Sequence, residues 1–303
     1  MTDATKPAED GAQAAREEQL VDAVVASLAD TPDDRLRTVL SSVIRHLHAL
    51  VREVRLTPQE WKQAIDFLTR VGHITDDKRQ EFILLSDVLG VSMQTIIVND
   101  DPTGRATEAT VVGPFFVENS PWVALGGDIS AGAPGEACWV EGVVRDVDGR
   151  PLGGARIEVW QADDDGFYDV QYGDDRTAAR AHLFTDQDGR YRFWALTPTP
   201  YPIPDDGPVG DLLAATRRSA MRAPHLHFMV SRAGMQGVVT HIFVAGDALS
   251  SDSVFGIRDS LIVDFERSST AEPTPDGRKV PGDTWTRATF DIVLRPEPAM
   301  PEH

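Results

Sequence analysis

The chain has 303 residues, of which 41% are apolar, and its 48 acidic side chains outnumber 29 Lys and Arg to give a formal net charge of −19. That apolar fraction can build an ordinary core, which excludes wholesale disorder, while so anionic a surface repels phosphate backbones and acidic headgroups and argues against nucleic-acid or membrane binding. The single cysteine, Cys138, excludes an intrachain disulfide or a cysteine-based metal cluster.

No apolar run approaches the ~18 residues of a membrane span, and the opening MTDATKPAEDGAQAAREEQ is too acidic for a signal peptide, so a cytoplasmic protein is expected. Helices dominate the first hundred residues. Thr31-Pro32-Asp33-Asp34 supplies a cap, an early proline and acids, and Leu36, Val39, Leu40, Val43, Ile44, Leu47, Leu50, Val51 and Val54 then keep helical spacing over five turns. Thr57-Pro58-Gln59-Glu60 forms a capping box for a second helix that stops at Gly72, and a third is expected from Thr75 through Ile96. So long an apolar stripe must be covered, within the monomer or, as favoured here, by a second subunit.

Residues 101–136, with Gly113-Pro114 and further Gly and Pro, read as a connector. After it the period becomes two, around Val140–Val144, Ile157–Val159 and Tyr191–Phe193, with strands again near 225–231 and 238–245, a proline-rich loop at 198–210 and a short helix from Asp211. The expected fold is α+β: a helical dimerisation domain over 1–100, the connector, and an antiparallel β-sandwich catalytic domain over 137–303. Three Asp-x-Asp-Gly segments at 146–149, 163–166 and 186–189 lack the first-position acid and twelfth-position Glu of a calcium loop, so they are turns.

His225-Leu226-His227 lies in an apolar strand, where residues two apart share a face. The two imidazoles are either a metal pair or two satisfied core histidines. His46 and His48 share that spacing on a helix, where they diverge by ~200°, so they read as surface residues. Tyr168 and Tyr201 read locally as amphipathic packing residues. The acidic group Asp163, Asp164, Asp165, Asp169, Asp174 and Asp175 reads as a solvated turn.

Together, VRDVDGRPLGGARIEVWQADDDGFYD, TDQDGRYRFWALTPTPYPIP and RRSAMRAPHLHFMVS resemble the intradiol ring-cleaving dioxygenases, and the likeness extends over roughly residues 20–295. The resemblance implies one non-haem Fe(III) per subunit held by Tyr168, Tyr201, His225 and His227. It also implies that Tyr201 takes a substrate proton and that Arg222 stabilises charge on the ring. Phenolates are hard anionic donors that suit Fe(III) better than zinc. ILLSDVLGVSMQ and EATVVGPFFV look more like the hydroxyquinol-cleaving branch than the catechol or chlorocatechol branches. By that likeness Leu84, Asp87, Val111, Val112, Gly113, Pro114, Phe115, Ile203, Pro204 and Val254 line the pocket. Asp87 either accepts a hydrogen bond from a third hydroxyl or is a solvated helix residue. His241 stands where catechol-cleaving members have glutamine, beside Arg222 or the iron, with strand packing as the alternative.

The expected reaction is O2-dependent cleavage of hydroxyquinol (benzene-1,2,4-triol) to 3-hydroxy-cis,cis-muconate and thence maleylacetate. The alternatives are a catechol or chlorocatechol enzyme, or a non-enzymatic prealbumin-like module. The resemblance further implies a homodimer formed through the helical domain, with phospholipid tails held between the helices.

Overall fold

The computed structural model describes residues 6–76 and 79–297, and the chain divides into two compact units, Met1–Thr69 and Arg70–His303. In the first, α1 (Lys6–Ala26) packs on α2 (Asp34–Glu53), with Arg52 on Glu18 at 2.5 Å and Arg55 on Glu17 at 3.2 Å. The Asp33 side chain accepts the Leu36 N–H at 2.9 Å and caps α2, as the local sequence requires. No residue of α2 is buried: Leu36, Leu47 and Leu50 are about half exposed. The capping box opens α3 (Pro58–Ile74), where the Thr57 N–H donates to Glu60 at 2.8 Å and the Glu60 N–H donates back to Thr57 Oγ1 at 3.3 Å.

The third helix expected from Thr75 is instead two shorter ones, α4 (Glu81–Val88) and α5 (Val91–Asn99). Gly90 between them has φ +73°, the left-handed conformation that ends a helix. Thr75 closes α3 instead, its hydroxyl donating to the Val71 carbonyl at 2.8 Å. Buried Glu81 anchors α4, pairing with Arg79 at 3.1 Å and accepting the Val209 N–H at 3.0 Å. Among the described residues no single helix is long and apolar enough to cross a membrane.

The second unit is built on two five-stranded sheets. In one, β1 (Ala137–Asp146) lies between β4 (Arg190–Leu196), antiparallel to it, and two parallel strands that share its other edge, β11 (Thr284–Thr289) and β12 (Ile292–Leu294); β10 (Glu266–Ser269) flanks β11. The other runs β3 (Arg180–Phe184), β2 (Arg156–Trp160), β7 (His225–Arg232), β8 (Met235–Val244) and β9 (Ile262–Val263), antiparallel except for the last pair. The antiparallel expectation therefore holds for most neighbours but not for β11, β12 and β9, whose direction a local alternation pattern does not encode. The sheets meet through one apolar core, in which the Phe228 ring lies 6.1 Å from Tyr191, 6.3 Å from Phe193 and 6.1 Å from Phe290. Cys138 sits in that core with its thiol pushed up to about 12 by burial. A two-stranded ribbon, β5 (Tyr201–Pro202) with β6 (Met221–Arg222), and the helix α6 (Pro208–Ala215) complete the unit.

The three Asp-x-Asp-Gly segments share one construction. Oδ1 of Asp146, Asp163 and Asp186 accepts two backbone N–H groups across its turn, and the glycines take φ of +83°, +85° and +73°. In each, that oxygen is committed to the backbone. The turns differ in what surrounds the glycine. A Cβ on Gly149 meets nothing within 4 Å, whereas one on Gly189 would lie 2.5 Å from the Val144 carbonyl oxygen and 2.9 Å from the Leu152 nitrogen. Gly149→Ala should therefore cost about 1–2 kcal/mol in urea unfolding, and Gly189→Ala roughly 3 kcal/mol or more. Equal losses would show that backbone conformation alone sets both costs.

Candidate metal centre and substrate cavity

On β7, His225 and His227 point to one face, as the strand period requires. The β5–β6 ribbon sets Tyr201 opposite Arg222, and the 163–166 turn delivers Tyr168. The Tyr168 Oη lies 2.9 Å from the Tyr201 Oη and 2.8 Å from His227 Nε2. His225 Nε2 lies 3.3 Å from the Tyr201 Oη and 3.1 Å from His227 Nε2. All four side chains are buried.

Their surroundings fix these rings. Phe115 stacks on Tyr168 at 4.4 Å and Trp160 on His227 at 4.6 Å. A Cβ on Gly166 would come within 2.8 Å of the Tyr201 Cβ, so the turn lies flush on that tyrosine. His225 Nδ1 donates to the Ala223 carbonyl at 2.6 Å, which turns the lone pair of Nε2 toward the cluster. His241, on β8, pairs in register with His227; its ring centre is 4.1 Å from that of His227 and 4.8 Å from that of His225. It is fully buried, and apart from a loose contact with the Val111 backbone its ring nitrogens have no hydrogen-bond partner among the described residues.

Burial raises the Tyr168 phenol, helped by its proximity to Tyr201, and also raises Tyr201 against the pull of the Arg222 charge. Burial and the charge of Arg222 hold His225 neutral; burial and the neighbouring imidazoles do the same for His227. Neutral imidazole lone pairs and phenols converging in a dry interior are a donor set that a cation stabilises, because it displaces the phenol protons and satisfies the lone pairs. The ligating atoms of His225, His227 and His241 lie within 4.8 Å of one another. The cluster is a metal site.

Beside it Arg222 is 4% exposed; its Nε–H donates to Asp252 Oδ2 at 3.1 Å and its Nη2 has no partner among the described residues. Asp87 is buried, not the solvated alternative. Its carboxyl is raised by burial, opposed by a hydrogen bond from Ser92 and the charge of Arg222, and its Oδ1 is unpartnered. It lines a cavity of about 480 Å³ with Ser86, Ser92, Val111, Val112, Gly113 and Pro114. Phe115, Tyr201, Ile203 and Pro204 line a second space of about 280 Å³. Leu84 packs in the Val88–Ile203 cluster, and Val254 packs on Met93 and Val111.

Two readings change. Asp163 and Asp169 are not solvated: Asp163 accepts the Tyr172 hydroxyl at 2.6 Å, and Asp169 pairs with buried Arg180 at 2.6 Å. Arg180 also donates to the Phe115 carbonyl at 2.8 Å, tying together the segments on either side of Tyr168. Asp164, Asp165, Asp174 and Asp175 are exposed as expected. Asp252 and Arg180 escaped the sequence analysis, since nothing local marks which of 48 acids meets a buried guanidinium.

The chain matches the Dioxygenase family over residues 111–296 and the Catechol dioxygenase N terminus over residues 33–107. It is 63% identical over 285 residues to the hydroxyquinol 1,2-dioxygenase of Nocardioides simplex, covering 94% of this chain and 97% of the relative. To the enzyme of that name from Rhodococcus opacus it is 62% identical, covering 94% and 96%. The structure of hydroxyquinol 1,2-dioxygenase from Pseudomonas putida DLL-E4 aligns with a TM-score of 0.87 at 41% identity, over 93% of this chain and 99% of that one.

His227→Ala removes a donor from the centre of the cluster and should lower metal content, measured by atomic absorption, at least tenfold. His182→Ala, whose imidazole is engaged by the Ser120 carbonyl at 2.7 Å, should leave it unchanged. Retention of metal by the first variant would remove His227 from the ligand set.

Proposed function

The chain belongs to the intradiol ring-cleavage dioxygenases, and from that premise we propose that it cleaves hydroxyquinol with O2 to 3-hydroxy-cis,cis-muconate, which tautomerises to maleylacetate. The observation that carries this reading is a four-donor phenol–imidazole cluster together with a cavity lined by the buried Asp87, whose Oδ1 has no hydrogen-bond partner among the described residues.

Tyr168, Tyr201, His225 and His227 would hold Fe(III), since two phenolates match a hard trivalent ion. When bound, it supplies the Lewis acidity that favours the ionised diol and an electron-rich ring open to O2. The protein's own residues account for the remainder. Tyr201, held at the junction of Tyr168 and His225, is placed to accept a substrate hydroxyl proton at its Oη. Arg222 stabilises negative charge on the ring through Nη2, its Nε already engaged by Asp252. Asp87 accepts a hydrogen bond from the third hydroxyl, and the apolar lining from Val111, Val112 and Pro114 excludes water. His241 packs the imidazole face of the cluster.

We also propose that the helical segment 1–100 mediates a homodimer, joined by the 101–136 connector to the catalytic 137–303 sandwich, with phospholipid acyl chains between the apolar helices. The support is the exposed stripe of α2. Light scattering should give twice the 33.1 kDa chain mass; a monomer at micromolar concentration would overturn the dimer.

Oxygen uptake should show hydroxyquinol preferred over catechol by at least tenfold in kcat/KM, because a site built to pair a hydroxyl rejects the analogue that lacks it. Asp87→Ala should lower kcat/KM for hydroxyquinol by about 10–100-fold, the worth of one hydrogen bond to a charged group, and leave catechol less affected. Faster cleavage of catechol by the unaltered protein would overturn the substrate.

A further inference from the structure

The ion pair behind Arg222 has a construction that charge compensation alone does not require. A buried guanidinium needs an anion, and among the described residues Asp252 is the one carboxylate in ion-pair contact with it, both side chains 5% exposed or less. Asp252 is itself held by the backbone. Its Oδ2 accepts the Ala223 N–H at 3.1 Å as well as the Arg222 Nε–H, and its Oδ1 accepts the Val254 N–H at 2.9 Å. The Ser253 N–H donates to the Met221 carbonyl at 3.0 Å, which fastens this segment along β6. The carboxylate is thus held by two backbone N–H groups before it meets the arginine.

Two consequences converge on the site. The contact engages only Nε, so Nη2 is left as an uncommitted donor in a buried setting. Ala223, whose N–H is pinned by Asp252, is also the residue whose carbonyl receives His225 Nδ1–H at 2.6 Å. One carboxylate therefore sets both the attitude of the guanidinium and, through a single intervening residue, the tautomer and tilt of an imidazole in the donor cluster.

We propose that Asp252 is a positioning residue for the ring-cleavage reaction, clamping Arg222 by its Nε edge and registering Ala223 so that the free guanidinium N–H and the His225 ring keep a fixed relation. This rests on the assignment of Arg222 to the substrate. Asp252 itself touches no reacting atom, and it acts through Arg222 and Ala223.

The test is a double-mutant cycle on the iron-loaded protein with hydroxyquinol, using Asp252→Asn, Arg222→Gln and the pair. A loosened guanidinium should lower kcat of Asp252→Asn about 100-fold, with KM within threefold and with the visible absorbance change on anaerobic addition of hydroxyquinol preserved. In the Arg222→Gln background the same substitution should cost no more than about threefold, because residues acting through one another are not additive. Additive losses, or a kcat for Asp252→Asn within threefold of the unaltered protein, would overturn the clamp. If Asp252→Asn does not yield folded, iron-loaded protein, Asp252→Glu decides, because it keeps the charge and displaces the carboxylate: a kcat lowered more than threefold with KM and the anaerobic absorbance change preserved supports the clamp, and a kcat within threefold of normal overturns it. An unaltered protein that consumes no O2 with hydroxyquinol defeats the functional reading and the clamp together. Normal uptake with an indifferent Asp252 defeats the clamp alone.

Discussion

Four donor atoms, two phenolic and two imidazole, meet edge to edge at 2.8–3.3 Å on side chains that are buried. Removed from water and left to themselves, these groups are expensive: burial opposes ionisation of both phenols and of both imidazoles. A cation would remove the penalty on the phenols by displacing their protons and would use the lone pairs of imidazoles that burial already keeps neutral, and much of the second unit serves to hold these four donors together. The strand period of β7 delivers the histidines, a two-residue ribbon delivers Tyr201, and a tight turn delivers Tyr168. Stacked Phe115 and Trp160 prevent the rings from rotating away.

Each guanidinium beside the cluster is paired with a carboxylate, Arg180 with Asp169 and Arg222 with Asp252, yet the Arg222 charge is still felt there, opposing protonation of His225 and favouring the phenolate of Tyr201. Each pair also has a mechanical task, since Arg180 joins the Phe115 and Asp169 segments and Asp252 joins β6 to the segment carrying Val254. Buried pairs of this kind contribute little net stability. What they supply here is a fixed frame, and among the polar atoms left without a partner in the described residues are Nη2 of Arg222 and Oδ1 of Asp87, the two assigned to the substrate in the proposed reading.

How much of this was legible in the sequence depends on how local the physics is. The capping boxes, the Asp-x-Asp-Gly turns and the H-x-H strand are set by neighbours in the chain, and each was readable. The four clustered donors were singled out only because they fall in a recognisable order, not because spacing places Tyr168 beside His227, fifty-nine residues away. Three kinds of feature escaped. The helix α1 is rich in alanine and charge and has no strong apolar stripe. The short strands β9, β10 and β12 carry too few residues for a period to register. Buried polar residues such as Asp163, Asp169, Asp252 and Arg180 look like surface residues until their distant partners are known. His241 drew attention only as a histidine in a glutamine's place, and its position against two other imidazoles follows from the β7–β8 register.

The break at Gly90 shows why such misses matter for specificity. A continuous helix would carry residues 86 and 92 to different sides of the axis, because six residues amount to ~600° of rotation. The left-handed glycine instead bends the chain by 73° between α4 and α5, which brings the Ser92 and Ser86 hydroxyls to 2.8 Å and sets the Ser92 hydroxyl against Asp87. That leaves Asp87 held by one serine with its other oxygen open. With α4 anchored at its start by Glu81 on Arg79 and the Val209 backbone, Asp87 is not free to swing toward solvent to satisfy itself. A buried acceptor in that position costs about 1–3 kcal/mol until a donor arrives. In the proposed reading a diol with a third hydroxyl would bring that donor and one without it would not, so the proposed selectivity for the triol would rest on a helix break rather than on the four-donor cluster.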